Sequence, residues 1–233
     1  VPGLLFVFQY NQLIPNDMSM QVAAGTSLAV MIFTTMAALN AHRKHSDILW
    51  PIFKKLLPGM LLGTMVGVLT ASNVPVHWLK TIFAVFLFFV ALKMLMDLHV
   101  THSAGFPRHW INRLMSFFIG LVSGMLGIGG GILTVPYLTY CGVPVRKIAA
   151  ISNLCTLMLA FLGTFMFIIT GINDMVRVPY STGYVYWPAV LAVAIPSALF
   201  APLGTKLNYI LPVKQLKYVF LVILVLTAIR MLF

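Results

Sequence analysis

Acidic residues are nearly missing from this sequence. Its 233 residues include no glutamate and four aspartates, Asp17, Asp47, Asp97 and Asp174, and only 8% of the chain is charged. A soluble domain carries about 25% charged residues, so a water-facing globular surface is excluded. None of the four aspartates lies deep in an apolar run, and all six histidines (His42, His45, His77, His99, His102, His109) lie in or beside polar connectors. A proton relay through a buried acid or histidine is therefore not expected. Cysteine is equally scarce. Cys141 and Cys155 form no CxxC pair and read as packing residues, not as a disulfide or a metal site. His42 and His45 have a helical metal-ligand spacing, but Arg43 and Lys44 between them mark a solvated basic loop. No metal and no cofactor are expected.

What the chain has in excess is apolar sequence: 61% of residues are hydrophobic, and mean hydropathy is +0.99. Residues 18–41, 56–79, 114–145, 148–173 and 178–205 contain no Asp, Glu, Lys or Arg. A spanning helix needs about 20 such residues. The fold class is all-α, a polytopic helical bundle whose partner is the lipid bilayer. The net charge of +11 does not indicate nucleic acid, because the basic residues sit in short connectors, where they set topology. Trp50, Trp78, Trp110 and Trp187 lie near segment ends, as interfacial anchors do. No signal peptide is visible, and the sequence starts with Val1, so further residues are expected upstream.

Eight apolar stretches are expected: 1–10, 20–41, 55–72, 76–98, 114–141 (broken at its glycines), 146–171, 184–208 and 213–233. The two halves resemble each other. VAAGTSL at 22–28 matches IAAISNL at 148–154, VPGLL at 1–5 matches VPYLT at 135–139, and ALKML at 91–95 matches AIRML at 228–232. Gly67, Pro75 and Lys80 pair with Gly204, Pro212 and Lys217 at one constant spacing. The expected organisation is a first repeat over 1–98, a cytoplasmic linker over 99–113 and a second repeat over 114–233. The glycine segment that would partner GIGGG in the first repeat would precede Val1.

The basic residues vote on orientation. If the segment after Arg113 enters the membrane and returns on the same side, then Arg146, Lys147, Lys206, Lys214 and Lys217 all face the cytoplasm. Its two arms, 114–127 and 128–141, are each about 21 Å of helix, short of a core about 30 Å thick. Three full crossings per repeat then make the repeats inverted.

The stretch GMLGIGGGILTVP, 124–136, is where this hairpin would turn. Each glycine costs a helix about 1 kcal/mol against alanine. A broken helix inside a membrane is tolerated only where it is buried in protein or lines a cavity. There the second arm offers bare amide donors and an effective charge of roughly +0.5, which suits an anion. Candidate ligands are Gly129, Gly130 and Gly131, with the uncharged polar residues Thr26, Ser27, Ser152, Asn153, Ser123 and Cys155; Thr156 lies close by. The duplication aligns Ser27 with Asn153. For any one of these hydroxyls or amides, interhelical packing is the competing role.

The stretch GLVSGMLGIGGGILTVPYLTYCGVPVRKIAAISNL, 120–154, resembles the hallmark of the sulfite exporter TauE/SafE family, also called the toluene sulfonate uptake permeases. VPGLLF followed by AAGTSL is similar to its weaker first-repeat partner. The resemblance implies a multi-pass transporter of the bacterial cytoplasmic (inner) membrane. Its partner is a small sulfur-containing anion such as sulfite, a sulfonate or sulfoacetate. A homodimer is a further expectation, and nucleic acid is not. An anion channel using the same helix dipoles is the alternative. An enzyme is not expected, since Ser123, Ser152 and Cys155 have no base in their own segments.

Overall fold

The computed structural model describes residues 1–10, 14–15, 17–42, 49–96, 105–174 and 178–210. The elements are α1 (Pro2–Tyr10), α2 (Ser19–His42), α3 (Trp50–Asn73), α4 (Val76–Met96), α5 (His109–Leu126), α6 (Gly131–Tyr140), α7 (Val145–Gly171), β1 (Ser181–Thr182), β2 (Val185–Tyr186) and α8 (Trp187–Ile210). The last expected stretch, 213–233, lies outside the described residues, together with Pro212, Lys214 and Lys217.

Residues 19–40, 50–73 and 147–171 are long and apolar enough to cross a membrane. The helices overrun the apolar runs at their basic ends. α3 starts at Trp50, with a proline in its first turn, and α5 starts at His109. Hydropathy reports contact with lipid, not helix length, so Lys54, Lys55 and the polar segment 109–113 continue the helix past the apolar core.

Helices α2 and α7 cross antiparallel at the centre. Gly25 faces Phe167, and Gly163 faces Leu28. Helix α3 runs parallel to α5 at backbone contact. A β-carbon on Gly63 would stand 2.0 Å from the carbonyl oxygen of Phe117, one on Gly67 2.2 Å from that of Leu121, and one on Gly120 2.0 Å from that of Met60. Thr64 donates its hydroxyl to the carbonyl oxygens of Met60 (2.9 Å) and Gly120 (3.2 Å). With no hydrophobic force between helices in lipid, small residues supply association by close packing. The second apolar cluster joins Phe53, Leu56 and Met60 of α3 to Leu138 of α6 and to Ile148, Ile151, Cys155 and Leu159 of α7.

The stretch expected as helix over 184–208 instead begins with a hairpin. β1 and β2 pair antiparallel, Ser181 opposite Tyr186, because Gly183 takes φ +53° and closes the turn. The hairpin inserts into the end of the bundle opposite the basic starts of α3, α5 and α7. The Tyr184 amide donates to the Phe167 carbonyl (3.1 Å), the Tyr186 amide to Thr26 Oγ1 (3.1 Å), and the Tyr184 hydroxyl to the Asp174 carboxylate.

Candidate functional site

The helix does break at the glycines. α5 ends at Leu126, and Gly127 caps it in the left-handed conformation, φ +64°. The amides of Gly127 and Ile128 both donate to the Ser123 carbonyl, an arrangement that satisfies the last carbonyls of a helix. Gly129 is left-handed as well, φ +72°. The chain then enters α6 at Gly131, and the first helical bond of α6 runs from the Thr134 amide to the Gly130 carbonyl at 2.9 Å.

The chain also reverses here. The Tyr137 hydroxyl, on α6, donates to Asn112 Oδ1, near the start of α5, at 2.5 Å. Asn112 precedes the end of α5 by about 21 Å of helix, so α6 must run back toward that start. The arms are unequal, however: 18 residues in α5 and 10 in α6, not 14 and 14. α5 spans about 27 Å and α6 about 15 Å. The difference arises because α5 begins before the apolar run and because four residues, 127–130, belong to neither helix.

No side chain caps the N-terminus of α6. Among the described residues, the amides of Gly131, Ile132 and Leu133 donate to no other group, as expected of an uncapped first turn. The glycines divide the labour in front of them. Gly127 and Gly129 supply positive φ at tight contacts: a β-carbon on Gly127 would lie 2.4 Å from Ala24 Cα, and one on Gly129 2.7 Å from Met31 Sδ and from Thr156 Cγ2. Gly130 and Gly131 have ordinary room. Their β-carbons would lie 3.4 Å from Thr134 Oγ1 and 3.5 Å from Ser152 Oγ respectively, with Thr156 Oγ1 at 3.6 and 3.8 Å. Three hydroxyls therefore converge on the amide end of α6. Thr134 Oγ1 is buried and makes no hydrogen bond, which in a protein interior calls for an explanation.

The expected site residues separate. Gly129, Gly130, Gly131, Ser152 and Thr156 come together at the break. Ser123 is there too, but its hydroxyl donates to the Gly129 carbonyl at 3.0 Å, so it holds the loop. Ser27 is buried on α2, three residues after Ala24 and four before Met31, on the face that touches the break. Asn153 is half-buried and lies roughly 100° round α7 from Ser152. Thr26 belongs elsewhere, because its oxygen accepts the Tyr186 amide. Cys155 packs against the apolar side chains of α3 and α6. Two participants were not singled out from sequence. Gly127 carries the signal of a glycine ending a helix, and Thr134 that of a hydroxyl in the first turn after a glycine run.

The model of the family described as Sulfite exporter TauE/SafE matches residues 1–231. The chain belongs to the TauE/SafE family. Among curated relatives of this TauE/SafE protein, a Haemophilus influenzae protein named "Probable membrane transporter protein" is 30% identical over 99% of the chain and 88% of its own length. Counterparts of the same designation are 28% identical in Methanocaldococcus jannaschii, over 93% of the chain and 79% of the relative, and 26% identical in Bacillus subtilis, over 100% and 88%. No solved structure gives a significant match. Family membership places this TauE/SafE chain among multi-pass membrane transporters.

Proposed function

We propose that the protein moves small sulfur-containing oxyanions, of the sulfite, sulfonate or sulfoacetate type, across the bacterial cytoplasmic membrane. The observation that carries this reading is the uncapped N-terminus of α6, buried within the bundle with Ser152, Thr156 and Thr134 around it. Free amides and a helix dipole favour an anion, and a sulfur oxyanion presents several acceptor oxygens to amides and hydroxyls at once. No buried Lys or Arg is needed, so the guest is held loosely enough to leave.

Two further features support an inverted-repeat transporter. α2 and α7, the partners in the internal sequence match, run antiparallel. In the exchange α6 to α1 and α7 to α2, the packing of α6 on α7 is answered by that of α1 on α2. Inverted repeats meeting at broken helices are a known transporter plan. On this reading 1–98 and 114–233 are the two repeats, and the basic ends of α3, α5 and α7 face the cytoplasm.

The test is uptake of [35S]sulfite into proteoliposomes containing the full chain. Saturable uptake, accelerated by unlabelled sulfite on the far side, is expected. Ser152→Ala combined with Thr156→Val should reduce it at least tenfold with normal insertion. Uptake unaffected by that pair, or equal in empty liposomes, would defeat the reading.

A further inference from the structure

We infer that the basic end of the bundle carries a second, shallower oxyanion site, formed by Lys55, His109 and Asn112, that serves as an entry station for the central one. A cavity of about 190 Å³ opens there, lined by Lys55, Phe106, Pro107, His109 and Asn112. Its donors come from two helices packed at backbone contact: Lys55 from α3, the other two from the first turn of α5. The decisive residue is Asn112, which is 5% exposed. Its Oδ1 is occupied by the Tyr137 hydroxyl. That leaves Nδ2, which donates to nothing among the described residues, on a side chain that lines the cavity. An amide donor on a buried side chain, with its oxygen already engaged, is poised for an acceptor ligand. The start of α5 adds uncapped amides of the same sign, and the Lys55 ammonium adds full charge. Among the described residues, the only carboxylates, Asp17 and Asp174, belong to connectors at the opposite end.

The ligand class follows from the lining: a compact anion with several acceptor oxygens, screened only in part because the phenyl ring of Phe106 and the ring of Pro107 wall off one side. Asn112 also connects this cavity to the hairpin. Through the Tyr137 hydroxyl it is one bond from α6, whose other end is the central site. An anion at Nδ2 polarises that amide and strengthens the donation it accepts, so occupancy at the mouth bears on the returning arm.

This inference rests on the central-site reading, and equilibrium binding of [35S]sulfite to the purified full chain separates the two. Wild type is expected to show a tighter and a weaker class. Lys55→Gln should weaken the weaker class about tenfold and spare the tighter one, Lys55→Arg should preserve both, and Lys54→Gln, one position away and outside the cavity, should bind as wild type. Asn112→Ala should match Lys55→Gln; if it misfolds by losing Tyr137, Lys55→Gln decides alone. Gly130→Leu should remove the tighter class only. Wild-type binding in Lys55→Gln, or an equal loss in Lys54→Gln, overturns the entry site. Two intact classes in Gly130→Leu, with one lost in Lys55→Gln, overturn the central site instead.

Discussion

The Ser123 hydroxyl donates to the carbonyl of Gly129, 3.0 Å away and six residues ahead. The bond reaches across the whole reversal, from the last turn of α5 to the residue that launches α6. It fixes a left-handed peptide whose amide and carbonyl belong to no regular ladder, and it thereby aims the free amides of α6 at Ser152 and Thr156.

Ser123→Ala removes that support and leaves a buried carbonyl unpaired. A loss of about 1–3 kcal/mol is expected, read as a lower melting temperature of the detergent-solubilised chain. Transport should fall in parallel, since the loop that presents the amides loosens. A melt equal to wild type would show that the loop holds itself.

Neighbouring glycines should answer differently to alanine. Gly129→Ala meets Met31 Sδ at 2.7 Å in a left-handed backbone, so poor insertion or a collapsed melt is expected. Gly131→Ala meets Ser152 Oγ at 3.5 Å, which the fold accommodates; it should insert normally and bind [35S]sulfite about tenfold more weakly by filling the floor of the site. Equal behaviour of the two would contradict this division.

Gly63→Val is expected to abolish a monodisperse peak in gel filtration, because its first added carbon would lie 2.0 Å from the Phe117 carbonyl oxygen. Gly3→Val, where nothing stands within 4 Å, should elute as wild type. Normal elution of Gly63→Val would mean that α3 and α5 tolerate separation.

Stability should fall at high pH through Tyr184. Burial first, then its hydrogen bond to Asp174 and the negative charges of Asp174 and Asp17, push its hydroxyl above the ordinary value of 10.0. A raised pKa on an acid favours the neutral form in the fold, so the contribution is complete below pH 10 and is lost as pH rises beyond it. Chemical-denaturation curves of wild type and Tyr184→Phe should differ by a constant amount up to about pH 9 and converge above pH 10. A gap that grows with pH would refute the assignment.

Much of this architecture is legible in the sequence because lipid leaves little freedom. Charge-free runs of about 20 residues have few alternatives to helix, and three consecutive glycines within one such run pointed to a break. Helix ends were less legible, since polar residues such as His109 and Lys54 continue a helix beyond the lipid. The 181–186 hairpin was hidden because Tyr184 and Val185 have the hydropathy of a spanning segment. Within the site, the internal match found Ser27 and Ser152 but also offered Thr26, whose oxygen the Tyr186 amide occupies. Tyr186 lies 160 residues from Thr26, so no local pattern announces that partner. Thr134 escaped notice because a lone hydroxyl on an apolar arm gives no periodic signal.

The glycine seam between α3 and α5 has a mechanical consequence. Two helices in backbone contact, pinned by Thr64 to the Gly120 carbonyl, can neither slide nor tilt apart without leaving a void that lipid cannot enter. They behave as one beam. If the protein transports as proposed, any opening falls to the elements that pack around this beam, α6, α7 and α2. The four residues 127–130 link the beam to its returning arm, braced by the Ser123 hydroxyl and by Ala24.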